Sequence, residues 1–144
     1  MAYDNDNIFA KILRGDAPAH TVYEDDHTLA FLDVMPQADG HTLVLPKTPA
    51  ANIFDIDPGA LGPLMCTVQT VARGVREAFP ADGIRISQLN GPAAGQTVFH
   101  LHVHIIPCLE GRPRTPHATN MADPSVLAEH AEQLRAALDR LSGA

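Results

Sequence analysis

The sequence is poor in two features that would each have fixed its class. It has only two cysteines in 144 residues, Cys66 and Cys108, and their wide separation argues against a disulfide framework or a paired metal or redox motif. We expect both to be ordinary buried thiols in a reducing compartment. Basic residues are also few, because 10 Lys and Arg face 17 Asp and Glu for a formal net charge of −7. No basic cluster is longer than Arg112-Pro113-Arg114, so the electrostatic footprint of a long nucleic-acid partner is missing.

Long apolar runs are missing as well. None approaches the ~20 residues of a membrane-spanning helix, and residues 1–6 are polar and acidic where a signal peptide is basic and then apolar. We therefore expect a cytoplasmic protein with no membrane partner. Because 45% of the residues are hydrophobic and 19% are charged, the chain can form a packed core. We predict one domain over residues 1–144.

Periodicity along the chain predicts an α+β fold. Apolar residues at helical spacing predict a short helix at 6–14, an amphipathic helix from Leu61 to Val75, and a C-terminal helix at about 123–141, capped by Asp123. Strand patterns cover 21–24, 28–34, 42–46, 84–89 and 98–106. The last helix packs either on the body of the domain or on a second subunit.

The fifth predicted strand contains FHLHVHIIP, in which His100, His102 and His104 alternate with apolar residues. Successive strand side chains point to opposite faces, so the three imidazoles share one face. The opposite face, directed to the core, carries Phe99, Leu101, Val103 and Ile105. Such imidazoles can supply zinc ligands, or one of them can be a nucleophile that the others orient. Both interpretations stay open at this point.

The loop just before the histidines, NGPAAGQT, indicates an anion site. Gly91 and Gly95 allow a close backbone approach, while Gln96 and Thr97 add an amide and a hydroxyl. Alone, the segment is equally typical of a Gly/Pro turn between strands. Beside three histidines, a bound phosphoryl group explains it better.

The segment GQTVFHLHVHIIP resembles the signature of the histidine triad (HIT) family. The stretch from Asn7 to Lys47 is similar to the opening half of the same family, so the resemblance covers about residues 6–108. It implies a five-stranded antiparallel sheet with packed helices, to which the helix at 123–141 is an addition. It also implies a homodimer whose sheets adjoin.

The resemblance implies a nucleotidyl hydrolase or transferase, nearest to the phosphoramidase branch. His102 would attack the α-phosphorus of a purine nucleoside phosphoramidate or related AMP conjugate to give a covalent nucleotidyl-histidine. His104 would contact the phosphate, and His100 and His41 would orient the triad from behind. The remaining implied substrate contacts are the phosphate-side residues Asn90, Gly95, Gln96 and Thr97, the ribose ligand Asp33, and the base slot of Ile8, Phe9, Phe31, Leu32 and Val34.

Two other functions remain alternatives. A diadenosine polyphosphate hydrolase would use the same residues, and the extra C-terminal segment, with Cys108 where relatives often have Arg, leaves the specificity open. A nucleotide-binding regulatory protein with incidental turnover would use the C-terminal helix as an interaction surface. An apolar stripe left exposed on that helix would favour the second alternative.

One departure from the family bears on metals. Many bacterial members carry two cysteines in the opening helix and a histidine after the third strand, which form a structural zinc site with a triad histidine. Here those positions are Asn7, Ala10 and Pro49. We therefore predict no metal and no cofactor.

Overall fold

A computed structural model describes residues 2–113 and 120–143. Met1, Ala144 and the stretch 114–119, which includes Arg114 of the basic cluster, lie outside the described residues. The chain folds into five strands, β1 (Thr21–Glu24), β2 (Thr28–Leu32), β3 (Thr42–Pro46), β4 (Gly83–Gln88) and β5 (Val103–Cys108). Its helices are α1 (Ile8–Leu13), α2 (Leu61–Ala78) and α3 (Pro124–Leu141), with short 3₁₀ turns at Pro58–Ala60 and Pro92–Ala94. The predicted α+β fold is confirmed.

The strands form one antiparallel sheet in the order β1-β2-β3-β5-β4. One face carries the main core, in which the sheet packs against α2 and α3. The other face carries a smaller cluster built around Phe9 of α1, Phe31 of β2 and Leu43 of β3. Since β2 and β3 are buried on both faces, they read as nearly continuous apolar runs rather than as alternating ones.

Helix α1 is short but well anchored. The Asn7 side chain accepts a hydrogen bond from the Ala10 N–H at 2.8 Å, which satisfies one of the N–H groups that lack partners at a helix start. The ring of Phe9 is buried edge-on against Phe31, with centroids 5.4 Å apart. This contact fixes α1 over the end of β2.

Helix α3 packs on the body of the domain, which answers the question its sequence left open. Leu127, Ala131, Leu134 and Leu138 are buried against α2 and the sheet, whereas Leu141 is exposed. The two helices approach closely at Gly74 of α2, where an added Cβ would lie 2.5 Å from a methyl carbon of Leu138.

The fifth strand starts later than predicted. Residues 98–102 make no ladder pairing, and β5 begins at Val103. Pro46, the last residue of β3, has no N–H to extend the ladder, and the Leu101 N–H bonds instead to the Ala50 carbonyl at 2.8 Å. Alternation nevertheless continues for Leu101, which is buried in the main core. Phe99 does not join that core, so its predicted place was wrong.

Two further expectations can be compared with the structure. Cys66 is exposed and Cys108 is half-buried, so the prediction of buried thiols was wrong, although both are free. Cys66 lies on the outward side of α2, next to Met65, which is also exposed. Among the described residues, no helix is both long and apolar enough to cross a membrane.

Candidate active site

A cleft of about 540 Å³ opens on the α1 side of the sheet. This size suits a small-molecule ligand. Its walls are mostly apolar, and its polar side chains are Asp33, Thr97, His102 and His104. Imidazoles, a carboxylate and a hydroxyl thus converge at one apolar cavity.

Strand register explains why His104 faces this cleft. Phe31 pairs with Leu43, and Leu43 pairs with His104, so the three side chains project from the same face of the sheet. His102 precedes the strand and lies beside His104, with ring centroids 5.0 Å apart. The edge-to-face ring of Phe9 packs against His102 at 4.8 Å. Both imidazoles are more than nine-tenths buried.

Hydrogen bonds from behind fix the tautomer of His104. The Gln37 backbone N–H donates to His41 Nδ1 at 3.0 Å, so the proton of His41 is on Nε2. That Nε2–H faces His104 Nδ1 at 2.9 Å, which must accept. The proton of His104 is therefore on Nε2.

The neighbouring imidazole has the opposite tautomer. His102 Nδ1 lies 2.6 Å from the His100 carbonyl oxygen, which can only accept. The proton of neutral His102 is therefore on Nδ1, and its Nε2 carries the lone pair. The site thus pairs a ring nitrogen that carries a lone pair with a ring nitrogen that carries a proton.

His100 does not line the cleft. It is fully buried, its Nε2 lies 2.8 Å from the Pro46 carbonyl oxygen, and its Nδ1 lies 2.6 Å from the hydroxyl of Tyr3. Burial lowers the pKa of His100 below its ordinary 6.5, although the Pro46 contact opposes this shift. Desolvation therefore favours the neutral ring.

The loop before the histidines is held by its own side chains. Gln96 donates to the Ala51 and Val98 carbonyls at 2.6 and 3.0 Å and accepts from the Gly91 N–H at 2.8 Å. Asn90 accepts from the Ile53 N–H at 2.8 Å. Neither side chain lines the cleft, nor does Gly95, whereas Thr97 does. The phosphate contacts expected of Asn90, Gly95 and Gln96 remain predictions.

The two carboxylate oxygens of Asp33 have different partners. Its Oδ1 accepts from the Met35 N–H at 2.8 Å, which forms the turn that ends β2 two residues earlier than predicted. Its Oδ2 lies 3.5 Å from His41 Nε2. The residue also lines the cleft, so turn formation and ligand contact are both open to it.

The residues predicted for the base slot, Ile8, Phe9, Phe31, Leu32 and Val34, all line the cleft. The sequence reasoning missed further wall residues, namely Ile12, Ala17, Pro18, Ala19, Met35, Leu43 and Val98. Leu43 could have been found from its pairing with His104, but the Ala17–Ala19 segment carries no comparable signal. Tyr3 was missed as well, since a single residue ahead of the first helix has no pattern.

Two places bear on metal binding. Asp33, His41 and His104 offer ligand atoms within 4.8 Å of one another, but the facing nitrogens of the two histidines are already hydrogen-bonded. Elsewhere, Ala10 and Pro49 line a second pocket with Tyr3 and His100, and the Asn7 side chain caps α1. Neither place tests whether a metal binds, so the absence of a metal stays a prediction.

The sheet order, the cleft and the histidine pair define the histidine triad class. The HIT domain family model matches residues 14–111, and the chain belongs to this family. It is similar to a HIT-like protein from Bartonella henselae, described as involved in cell-cycle regulation and crystallised with an unknown ligand, with 48% identity, a TM-score of 0.91, and 95% and 99% of the two chains covered.

Two other relatives carry more specific names. A zinc-bound histidine triad family protein from Mycobacterium smegmatis is 39% identical with a TM-score of 0.84, over 96% of each chain. The adenylylsulfatase HINT3 of Arabidopsis thaliana is 37% identical over 103 residues, which are 72% of this chain and 52% of that protein.

Proposed function

We propose that the protein is a nucleotidyl hydrolase or transferase that acts at the α-phosphate of purine nucleoside phosphoramidates and related AMP conjugates. The observation that carries this proposal is the pair of opposite tautomers. A lone pair on His102 Nε2 stands beside an N–H on His104 Nε2 at one cleft. Attack on a phosphorus atom and stabilisation of its oxygens require these two functions together.

The cleft has room for the nucleoside. An adenine ring would pack among Ile8, Phe9 and Phe31, and the carboxylate of Asp33 would accept from the ribose hydroxyls. Ile8 is about half-exposed at the rim, so burial of the base would cover apolar surface. The α-phosphate would then lie at His102 and His104, with Thr97 as a further donor.

The reaction would proceed in two displacements. His102 Nε2 forms a bond to the α-phosphorus while the P–N bond of a phosphoramidate breaks, and the leaving amine takes a proton from a water molecule. The hydroxide left by that water attacks the nucleotidyl-histidine, the P–N bond to His102 breaks, and AMP leaves with neutral His102 restored. With another nucleophile in place of water, the same intermediate gives transfer.

The relatives support the reaction class. An adenylylsulfatase cleaves an AMP conjugate whose leaving group is sulfate, and HINT3 of Arabidopsis bears that name. We therefore include such mixed anhydrides among the substrates to be tested. Diadenosine polyphosphates remain the alternative substrates, since they present the same α-phosphorus with a larger leaving group.

A purely regulatory binding protein is the other alternative. It would have been favoured by an exposed apolar stripe on α3, but Leu127, Leu134 and Leu138 of that helix are buried within the domain. The packing of α3 therefore removes that argument for a binding protein, and turnover has to be decided by experiment.

The test combines AMP release with detection of the intermediate. Wild type, His102→Ala and the control His27→Ala, which alters an exposed turn residue, are each mixed with adenosine 5′-phosphoramidate, AMP-lysine or adenylyl sulfate. Samples are quenched without acid, and the mass of the protein is measured by mass spectrometry. Wild type and the control should release AMP and carry an AMP adduct, and His102→Ala should do neither.

Other results would redirect the proposal. Turnover of diadenosine polyphosphates alone would establish the alternative substrate class. AMP release by His102→Ala at the wild-type rate would overturn the role of His102. AMP binding without turnover of any of these compounds would make the chain a binding protein.

We also propose a homodimer in a cytoplasmic setting. Strand β4 lies at one edge of the sheet, and its Ile86 is about 43% exposed. An exposed edge strand is a template for pairing with another chain, and a second copy would cover it. Sedimentation velocity of wild type measures the oligomeric state directly.

The free thiols of Cys66 and Cys108 fit a reducing compartment.

A further inference from the structure

A tyrosine from outside the cleft contacts the first histidine of the triad. Tyr3 precedes α1 by several residues, yet its hydroxyl lies 2.6 Å from His100 Nδ1 across 97 positions of sequence. The two rings meet edge-on, with centroids 5.7 Å apart and planes at 70°. Tyr3 is half-buried and does not line the cleft.

The direction of this hydrogen bond follows from the other partner of His100. The Pro46 carbonyl oxygen can only accept, so His100 Nε2 carries the proton. In a neutral ring, Nδ1 is then an acceptor, and the Tyr3 hydroxyl donates to it. Burial lowers the pKa of His100, which keeps the ring neutral and preserves this arrangement.

The backbone of His100 contacts His102, the proposed nucleophile. The His100 carbonyl oxygen accepts from His102 Nδ1 at 2.6 Å, and this bond leaves the lone pair on His102 Nε2. The 100–101 peptide is also held by the Leu101 N–H bond to the Ala50 carbonyl at 2.8 Å, so the ring contacts of His100 would act as a second restraint on the residue whose carbonyl selects the His102 tautomer. Tyr3 contacts the other ring nitrogen of His100, Nδ1. Tyr3 and His100 line a pocket together with Arg14 and Lys47.

We propose that Tyr3 is a positioning residue, whose hydroxyl fixes the orientation of His100 and thereby keeps His102 in its nucleophilic tautomer. The role is indirect because Tyr3 touches neither the cleft nor His102 in the contacts described. The kinetic part of this inference rests on the proposed function, whereas the tautomer part does not.

The test uses a matched pair of phenol deletions. Tyr3→Phe removes the hydroxyl and keeps the ring, and Tyr23→Phe makes the same change where the hydroxyl bonds to Asp25 at 3.1 Å. Long-range ¹H–¹⁵N correlation spectra of the histidine rings report both tautomers without any substrate. In Tyr3→Phe, the Nδ1 signal of His100 should shift and the His102 ring should show a mixture of tautomers. Tyr23→Phe should match wild type.

Kinetics supply the second readout. We expect Tyr3→Phe to lower kcat for AMP release about tenfold, the size of one lost hydrogen bond. KM should stay unchanged, because Tyr3 lies outside the substrate cleft. Tyr23→Phe should keep the wild-type kcat.

Several results would overturn the inference. Ring signals of His100 and His102 that are the same in Tyr3→Phe as in wild type would do so, as would a shifted His100 with unchanged kcat. If wild type releases no AMP from any substrate, the proposed function fails. The spectra then decide the role of Tyr3 alone, since a His102 tautomer that is independent of Tyr3→Phe still refutes it.

Discussion

Replacement of His41 by leucine tests the hydrogen-bond relay behind the cleft. His41 is about 1% exposed and links the Gln37 N–H, at 3.0 Å, to His104 Nδ1, at 2.9 Å. Leucine fills much of the same volume but neither donates nor accepts. His41→Leu therefore deletes the relay while keeping an apolar side chain in place.

The loss of stability can be estimated from the two partners. His104 is buried, and a buried polar atom without its partner costs about 1–3 kcal/mol. The half-buried Gln37 N–H can reach water, so its loss costs about 0.5–1 kcal/mol. We expect the free energy of unfolding to fall by about 1.5–4 kcal/mol.

The effect on catalysis follows from the tautomer. Without the His41 N–H, His104 Nδ1 no longer has to accept, and the proton can move from Nε2 to Nδ1. Because the phosphate side then loses a hydrogen-bond donor, we expect kcat for AMP release to fall about a hundredfold. Stopped-flow or coupled assays of AMP release measure it.

The control is His130→Leu. His130 lies on α3 with its ring edge-on to Phe79 at 5.3 Å, outside the cleft. Denaturant unfolding of both variants gives the comparison. If His41→Leu unfolds within about 1 kcal/mol of His130→Leu, near the error of such a difference, and keeps its kcat, the relay does not fix His104 and the reasoning is wrong.

Two further predictions concern backbone strain and pH. Gly40→Ala should lower the free energy of unfolding by about 2–4 kcal/mol, since Gly40 has φ +90° and an added Cβ would lie 2.5 Å from the Phe79 ring. Gly15→Ala, with φ +84° and nothing within 4 Å, should cost only about 1 kcal/mol, so equal losses in denaturant unfolding would contradict the clash. The lowered pKa of buried His100 means that below its ordinary 6.5 the unfolded chain binds more protons. The contribution of His100 to the free energy of unfolding is therefore fully present above pH 6.5. It is lost progressively as the pH falls from that value to the lowered pKa of the folded state. Unfolding from about pH 8 to about pH 5 should show a shallower slope for His100→Gln than for wild type, and parallel slopes would exclude this contribution.

The parts of the fold that could be predicted are those set by local periodicity. Helix α3 begins directly after Asp123 as its cap predicted, and the Asp123 side chain accepts from the Ser125 N–H at 2.9 Å. Strands β1 and β3 match their predicted bounds. Boundaries set by tertiary contacts were missed, as at residues 98–102, where a bond from Leu101 to the loop after β3 replaces the ladder.

For the candidate site, strand alternation predicted which residues are near one another, and only the resemblance implied that His100 lies behind the other two histidines. Alternation put His100, His102 and His104 on one face, and yet only His102 and His104 reach the cleft. His100 turns to Pro46 and Tyr3, and a contact over 97 positions has no local signature. The amide of Gln96 shows the same limit, because its loop-holding bonds depend on Ala51, which is 45 positions away.

The opposite tautomers of the two cleft histidines come from opposite ends of the site. His104 receives its hydrogen bond from a side chain, His41, which in turn depends on the Gln37 N–H. His102 gives its hydrogen bond to a backbone carbonyl, that of His100. Because the two rings lie 5.0 Å apart at one cleft, a change in one relay should also affect the other histidine. Combining Tyr3→Phe with His41→Leu should therefore give a loss in log kcat that departs from the sum of the two single losses, and strict additivity would mean that the two histidines hold their protons independently.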